Sequence, residues 1–510
     1  MCTFILCLKN KRKFYLMLQE QALLLAMSAM AAYDLRLQAR LSAQPQLIGC
    51  VVESLTNPSY LVHREDAKVI RDMETHDNAG PNSTLKRQFA WKYICVRSRL
   101  AVVRNSLLAL ATLMTGNKDN IEELEQSDIV DGLVHSCPLY LACSEPIAWG
   151  YCQFINAIAS ESFATGTTKL ADHVLLVLAR HLLSPRVCYW GLKALDQLFR
   201  NAEVCLGVLK EENQVVDVIL QAVRKQGAIL SVAQSGCGAL RRLVLYDIGA
   251  FDLLKRGGVD VITACYQKHS HDPTVVFSCC SILRDLLTGN NQLPTGVNVV
   301  VGVGTTESTG INFIGKALVP SSERSTLRSQ LLECGMCEAI LDGFVETSGG
   351  AGASLPVSES SDAIVLMLNC LLGLLEQSGD PSVHDGVVNS KSPRQSSDAS
   401  TINCQERMTQ HGVFDILPVI LKAHSDEVNV FIAWCNLVGS FIQGNEKYAQ
   451  KLVQHSDLPV TLTSFLRNHG ENADAVKAAC RVINALCLVR ENRIRLGHHG
   501  MHYMLLPIIL

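Results

Sequence analysis

Residues 441–492 read FIQGN-EKYAQKLVQHSD-LPVTLTSFLRN-HGENAD-AVKAACRVINALC-LVREN. The stretch opens and closes on similar five-letter words whose final asparagines, Asn445 and Asn492, are 47 residues apart. Between them the apolar residues fall at helical spacing. Val460, Leu462, Phe465 and Leu466 mark one helix, and Val476, Ala479, Val482, Ile483, Leu486 and Val489 mark another. Strict alternation, the mark of a strand, is absent from this stretch. The segment therefore divides into a short helix (446–457), a second helix (458–468) and a third (475–489). Glycine and asparagine tolerate the left-handed backbone that closes a helix, so the five-letter words are expected to be helix stops.

The same word recurs as LMTGN (113–117) and LLTGN (286–290), 173 residues apart, or four steps of about 43. Weaker forms lie between them, at INAIASE (155–161), DQLFRN (196–201) and RRLVLYD (241–247). Another stands at LLGLLEQSG (371–379). The three-part division fits 118–161, 202–247, 248–290 and 404–445 equally well. Pro146 and Pro273 fall at third-helix starts, where a missing N–H costs nothing.

With this period, three helices per unit and a third helix closed by xGN or xEN, the sequence resembles the armadillo-repeat family over about residues 98–510. HEAT repeats are the near alternative, and the short first helix favours armadillo. The resemblance implies an all-α fold, a right-handed α-α superhelix of the armadillo solenoid type, with about eight to nine repeats and loop insertions. Residues 1–97 read as an N-terminal helical segment and linker with an irregular first repeat, and 98–290 as regular repeats. Residues 291–325 form an insertion that reads as a β-hairpin through VNVVVGVGTTESTGINFIG. Residues 326–377 form a repeat with an inserted loop at 347–361, and the Ser-rich stretch 378–403 reads as disordered. Residues 404–510 return to repeats, and the chain stops at LLPIIL inside what reads as a second helix, leaving the last unit incomplete. Within 378–403, Ser392 precedes Pro393 and is a candidate phosphorylation site.

Composition agrees with many small helix-on-helix contacts. Of 510 residues, 48% are hydrophobic and 6% aromatic, and only 18% are charged, against about a quarter in an average protein. The net charge of −3 offers no basic field for nucleic acid. The 20 cysteines lie inside apolar runs such as SCCSIL (278–283), which suits a reducing compartment. The cytoplasm is expected, with the nucleus left open. MCTFILCL, then a basic run with Lys9, Lys11, Arg12 and Lys13, precedes an apolar stretch broken by Gln19, Glu20 and Gln21. Its uninterrupted core is too short to span a bilayer. It reads as an amphipathic first helix, with membrane-surface contact as its alternative role.

Motifs for chemistry are sparse. Cys334 and Cys337 form a CxxC without a second pair of zinc ligands at suitable spacing, since Cys370, His384 and Cys404 are scattered. They read as packing cysteines at the turn between a first and a second helix. His498, His499 and His502 are too few for a metal site, with Gly500 between them. GVGTTE (302–307) lacks the third glycine of a dinucleotide loop, and HRED (63–66) lacks the rest of a kinase catalytic loop. No enzyme, cofactor or metal is expected.

Partner binding is expected along the groove that third helices line in such arrays. Importin-type armadillo adaptors carry a Trp and, four residues on, an Asn on each third helix. At the Asn position this chain has Thr112, Asn156, Gln197, Arg242, Asp285, Gly373, Ser440 and Cys487. Four residues earlier stand Leu108, Cys152, Lys193, Gly238, Ser281, Asn369, Asn436 and Ile483. One Asn and no Trp argue against an importin-like ladder, and Trp149, Trp190 and Trp434 read as core residues off that register. Lys193, Arg241, Arg242 and Arg284 instead suggest a modest basic stripe suited to an acidic peptide, as in catenin-like armadillo proteins. Gln197, Asp285 and Asn436 complete the candidate contact set. The expected function is a non-enzymatic interaction scaffold or adaptor. Two alternatives are a regulatory or targeting module of a larger signalling enzyme, and an adaptor recruited to a membrane surface.

Overall fold

The structure is a computed structural model. It describes residues 51, 100–125, 144–160, 167–210, 214–288, 321–349, 357–375, 399–424, 426–454 and 458–499. Every regular element among them is an α-helix. The chain divides into two compact units, Met1–Leu243 and Val244–Leu510.

In the first unit, α1 spans 100–114. It is followed by α2 (Lys118–Glu125), α3 (Glu145–Ala159), α4 (Thr167–Arg180) and α5 (Pro185–Leu198). Then come α6 (Ala202–Lys210), α7 (Val215–Gln226) and α8 (Leu230–Val244), which continues one residue past the unit boundary. α3 and α5, both third helices of their repeats, pack side by side, and α4 and α7, both second helices, form the neighbouring layer. α8 closes on α5 and α7: a Cβ on Gly236 would collide with Val223 at 2.3 Å, and one on Gly238 would meet the Asp196 carboxylate at 3.1 Å. These glycines let two helix backbones approach.

The second unit continues with α9 (Asp247–Lys255), α10 (Gly258–Lys268) and α11 (Pro273–Thr288). It goes on through α12 (Ser321–Glu333), α13 (Met336–Gly349), α14 (Val357–Leu375), α15 (Ala399–Gln410), α16 (Val413–Ala423) and α17 (Val428–Ile442). It ends on α18 (Glu446–Gln454), α19 (Leu458–His469), α20 (Ala473–Leu486) and α21 (Arg490–His498). Like helices stack on like. Third helices α11, α14, α17 and α20 form one row, and second helices α10, α13, α16 and α19 form another. First helices meet in the pairs α12–α15 and α18–α21. This is an all-α repeat stack in which each unit buries its apolar stripe on its neighbours.

The aromatics sit where rows meet. Phe431 of α17 stacks on Phe465 of α19 with ring centroids 3.5 Å apart. Trp434 is fully buried and donates its Nε1–H to the Leu417 carbonyl at 2.8 Å, as expected of a core tryptophan.

The five-letter words do more than stop helices. Gly116 and Gly444 take the left-handed conformation after α1 and α17, with φ of 71° and 75°. The asparagine that follows begins the next helix: Asn117 Oδ1 accepts from the Asn120 N–H at 3.1 Å, and Asn445 Oδ1 from the Tyr448 N–H at 3.2 Å. Asn201 likewise accepts from the Glu203 N–H at 2.8 Å. Gly stops and Asn caps, so the pair fixes the tight corner between repeats. LVREN departs from this. α20 already ends at Leu486, Asn492 lies inside α21, and its amide donates to Ala449 O at 3.0 Å and Leu486 O at 3.2 Å.

Several boundaries shift. The insertion expected over 291–325 gives way to helix at Ser321, so its last five residues belong to α12. The loop expected at 347–361 is trimmed from both sides by α13, which runs to Gly349, and α14, which starts at Val357. The disordered stretch expected over 378–403 ends earlier, because α15 begins at Ala399. Ser, Thr and Glu at helix starts look like loop residues by composition, yet they suit first turns. The expected hairpin core, Ser392, the basic residues 9–13, the second helix of 118–161, His502 and the closing LLPIIL lie outside the described residues.

Candidate functional site

The third-helix face of the first unit, formed by α3, α5 and α8, carries the densest group of candidate residues. On α5, Tyr189, Lys193 and Gln197 recur at spacing four, and Trp190 lies beside them; all four are half-buried. The Lys193 ammonium donates to the Tyr189 hydroxyl at 3.1 Å. It also lies 5.4 Å from the Tyr189 ring centroid and 5.2 Å from that of Trp190, and the two rings are 4.9 Å apart. These distances suit cation–π attraction and hold the lysine along the face.

Trp190 is therefore not a core residue, and neither is Trp149 of α3, which is also half-buried. The expectation of core packing holds for Trp434 alone among these three. Trp149 precedes Asn156 by seven residues and Trp190 precedes Gln197 by seven. Seven residues are two helical turns, so each tryptophan shares a face with its amide. Because α3 and α5 pack together, the chain has a two-step ladder of indole and amide. The fixed four-residue spacing tested in the sequence could not find it; the seven-residue repeat of Trp before Asn or Gln could.

Asn156 Oδ1 and Gln197 Oε1 are covered from solvent and have no hydrogen-bond partner among the described residues. Such an unpartnered atom costs about 1–3 kcal/mol.

The expected basic stripe is weaker than its residue count suggests. Arg242 Nε lies 3.6 Å from Asp196 Oδ1, an ion pair across α8 and α5 in which both side chains are about a quarter exposed. In the second unit the Arg284 guanidinium reaches Asp285 Oδ1 at 2.6 Å. Asp285 is 2% exposed, so it acts as the buried partner of Arg284 and not as a contact residue. Arg241 and Lys193 are half-buried on α8 and α5, and Asn436 is half-buried on α17.

Cys334 and Cys337 part company. Cys334 Sγ lies 3.8 Å from Asp260 Oδ1. Cys337 is buried against Cys404, and that hydrogen bond, with desolvation, raises its thiol well above the ordinary range. Gly335, with φ of 73°, makes the turn between α12 and α13, as the repeat register requires. No group of three or more metal-ligating side chains occurs among the described residues. Away from the third helices, a hollow between α4 and α7 is lined by Leu175, Leu176, Ala179, Val215 and Val218, with Asp172 and Gln214.

Part of the chain is similar to a known repeat family. Residues 158–250 match the family described as LRRK2 ARM repeat. Stacked units of first, second and third helices define a helical repeat protein, and residues 158–250 of it are similar to an armadillo-repeat family. No curated protein matches the sequence. Among solved structures, one from work on a phosphorylation switch controlling the interaction between cadherin and beta-catenin is 12% identical. It covers 93% of this chain and 96% of its own, with a TM-score of 0.42. A circular tandem repeat protein with novel repeat topology and enhanced subunit contact surfaces is also 12% identical, covering 94% and 98%, with a TM-score of 0.26.

Proposed function

We propose that the chain is a protein-interaction scaffold that holds an extended partner segment across α3, α5 and α8. The carrying observation is the ladder of Trp149 with Asn156 and Trp190 with Gln197 on adjoining third helices. Half-exposed indoles offer flat apolar area at low entropic cost, and the amides can both donate to and accept from a peptide backbone. Lys193, Arg241 and Arg242 bias the site toward acidic side chains, with Asp196 restraining Arg242 until a competing carboxylate arrives. The buried free thiols support a reducing compartment, the cytoplasm first.

Quantitative pull-down with the full chain tests the reading. Trp149→Ala with Trp190→Ala should cut retention of the bound proteins by about thirtyfold or more, the effect of losing a hot-spot aromatic. Lys193→Glu should weaken acidic partners selectively. An unchanged set of retained proteins, with an unchanged melting curve, removes this face from consideration.

A further inference from the structure

A second surface lies at the turns between second and third helices in the first unit. The α4–α5 turn carries Leu183, 80% exposed, and the α7–α8 turn carries Ile229 at 39% and Leu230 at 41%. The two turns touch: Gln226 Nε2 donates to the Leu182 carbonyl at 3.2 Å, and the charge of Lys225 acts on Cys188 near the start of α5. Arg180, Arg186, Arg224 and Lys225 flank the apolar residues and are all exposed. One carboxylate, Glu145, approaches through its hydrogen bond with Ser184 at 2.5 Å.

The repeat itself does not require these residues. Three of the four corresponding turns of the second unit read His269-Ser270-His271-Asp272, His424 to Glu427, and Gly470-Glu471-Asn472, all polar, and the fourth, 350–356, lies outside the described residues. Leu183 stands out from its turn instead of lining a hollow, and the hollow between α4 and α7 is formed by other side chains. Protruding apolar side chains ringed by cations suit an anionic lipid surface: the apolar groups enter the acyl boundary while Arg and Lys meet the headgroups.

We propose that this edge docks the protein on anionic membranes, independently of the third-helix face. Full-length protein should co-sediment with phosphatidylcholine vesicles containing phosphatidylserine, not with phosphatidylcholine alone, and added salt should release it. Leu183→Ser with Ile229→Ser, and separately Arg186→Glu with Lys225→Glu, should each lower vesicle affinity by about tenfold or more. Helix content should be unchanged, since all four side chains are exposed. A Trp190→Ala control should still bind vesicles. The proposal is overturned by equal binding to both vesicle types, by retention in the edge variants, or by loss only when Lys9, Lys11, Arg12 and Lys13 are made acidic. Edge-dependent capture of an acidic polypeptide without any vesicle binding overturns it in favour of a protein partner.

Discussion

Asn445 and Asn492 close similar words yet do unlike work, and stability should separate them. Asn445→Ala removes one half-exposed cap and should cost about 1 kcal/mol. Asn492 is 1% exposed and bridges two carbonyls, so Asn492→Ala should cost more, about 1–3 kcal/mol. Denaturant unfolding followed by circular dichroism ranks the two, and equal effects would contradict the bridging role. Gly444→Ala meets open space, so its penalty should be purely that of left-handed backbone, about 1–2 kcal/mol. The cysteines offer a second residue-scale check. Burial pushes the Cys188 thiol up to about 11, with Lys225 only partly opposing it. Native alkylation at mildly alkaline pH, mapped by mass spectrometry, should therefore spare Cys188 and label the half-buried Cys334, Cys480 and Cys487 first among the described cysteines.

Between elements, the stack is pinned where side chains of one helix reach the carbonyls of another. Arg328 of α12, nearly fully buried, donates to the Gly373 carbonyl of α14 at 2.9 Å. Arg407 of α15 donates to Leu332 O and to Glu338 Oε1, tying it to α12 and α13. Trp434→Phe removes the bond to Leu417 O and leaves a void between α17 and α16, so unfolding of the second unit should ease by about 2–3 kcal/mol. A midpoint shift in denaturant is the measurement, and no shift would place the tryptophan outside the stabilising core. His424, at the end of α16, has its imidazole pKa lowered chiefly by burial, with Glu427 opposing. The unfolded chain therefore binds that proton more readily. The histidine's contribution is intact above the ordinary imidazole range and is lost as pH falls through it. His424→Gln should accordingly flatten the acid side of the stability profile of the second unit.

At the scale of the molecule, a row of stacked repeats should be most protected in its interior. Each internal repeat has two neighbours and a terminal one has fewer. Hydrogen exchange followed by mass spectrometry should find the strongest protection in α14 and α17, which have third helices on both sides, and weaker protection in α21. Uniform exchange across the row α11–α14–α17–α20 would show a single cooperative block instead.

The 3.6-residue apolar spacing and the recurring Gly-Asn corners were enough to specify helices, their order and the repeat period, because both signals are local: one sets which face is buried, the other where the chain turns. Helix starts hidden in Ser- and Glu-rich stretches, as at Ser321, Val357 and Ala399, escaped because capping residues and loop residues share a composition. Side-chain partners escaped for a different reason. Asp196 beneath Arg242, Asp285 beneath Arg284, and Asn492 between two carbonyls depend on which atoms a neighbouring helix brings close. The indole–amide ladder of α3 and α5 and the edge joining Leu183 to Ile229 arise the same way. Each half was present in the sequence, and only the lateral packing of one repeat on the next made them a surface.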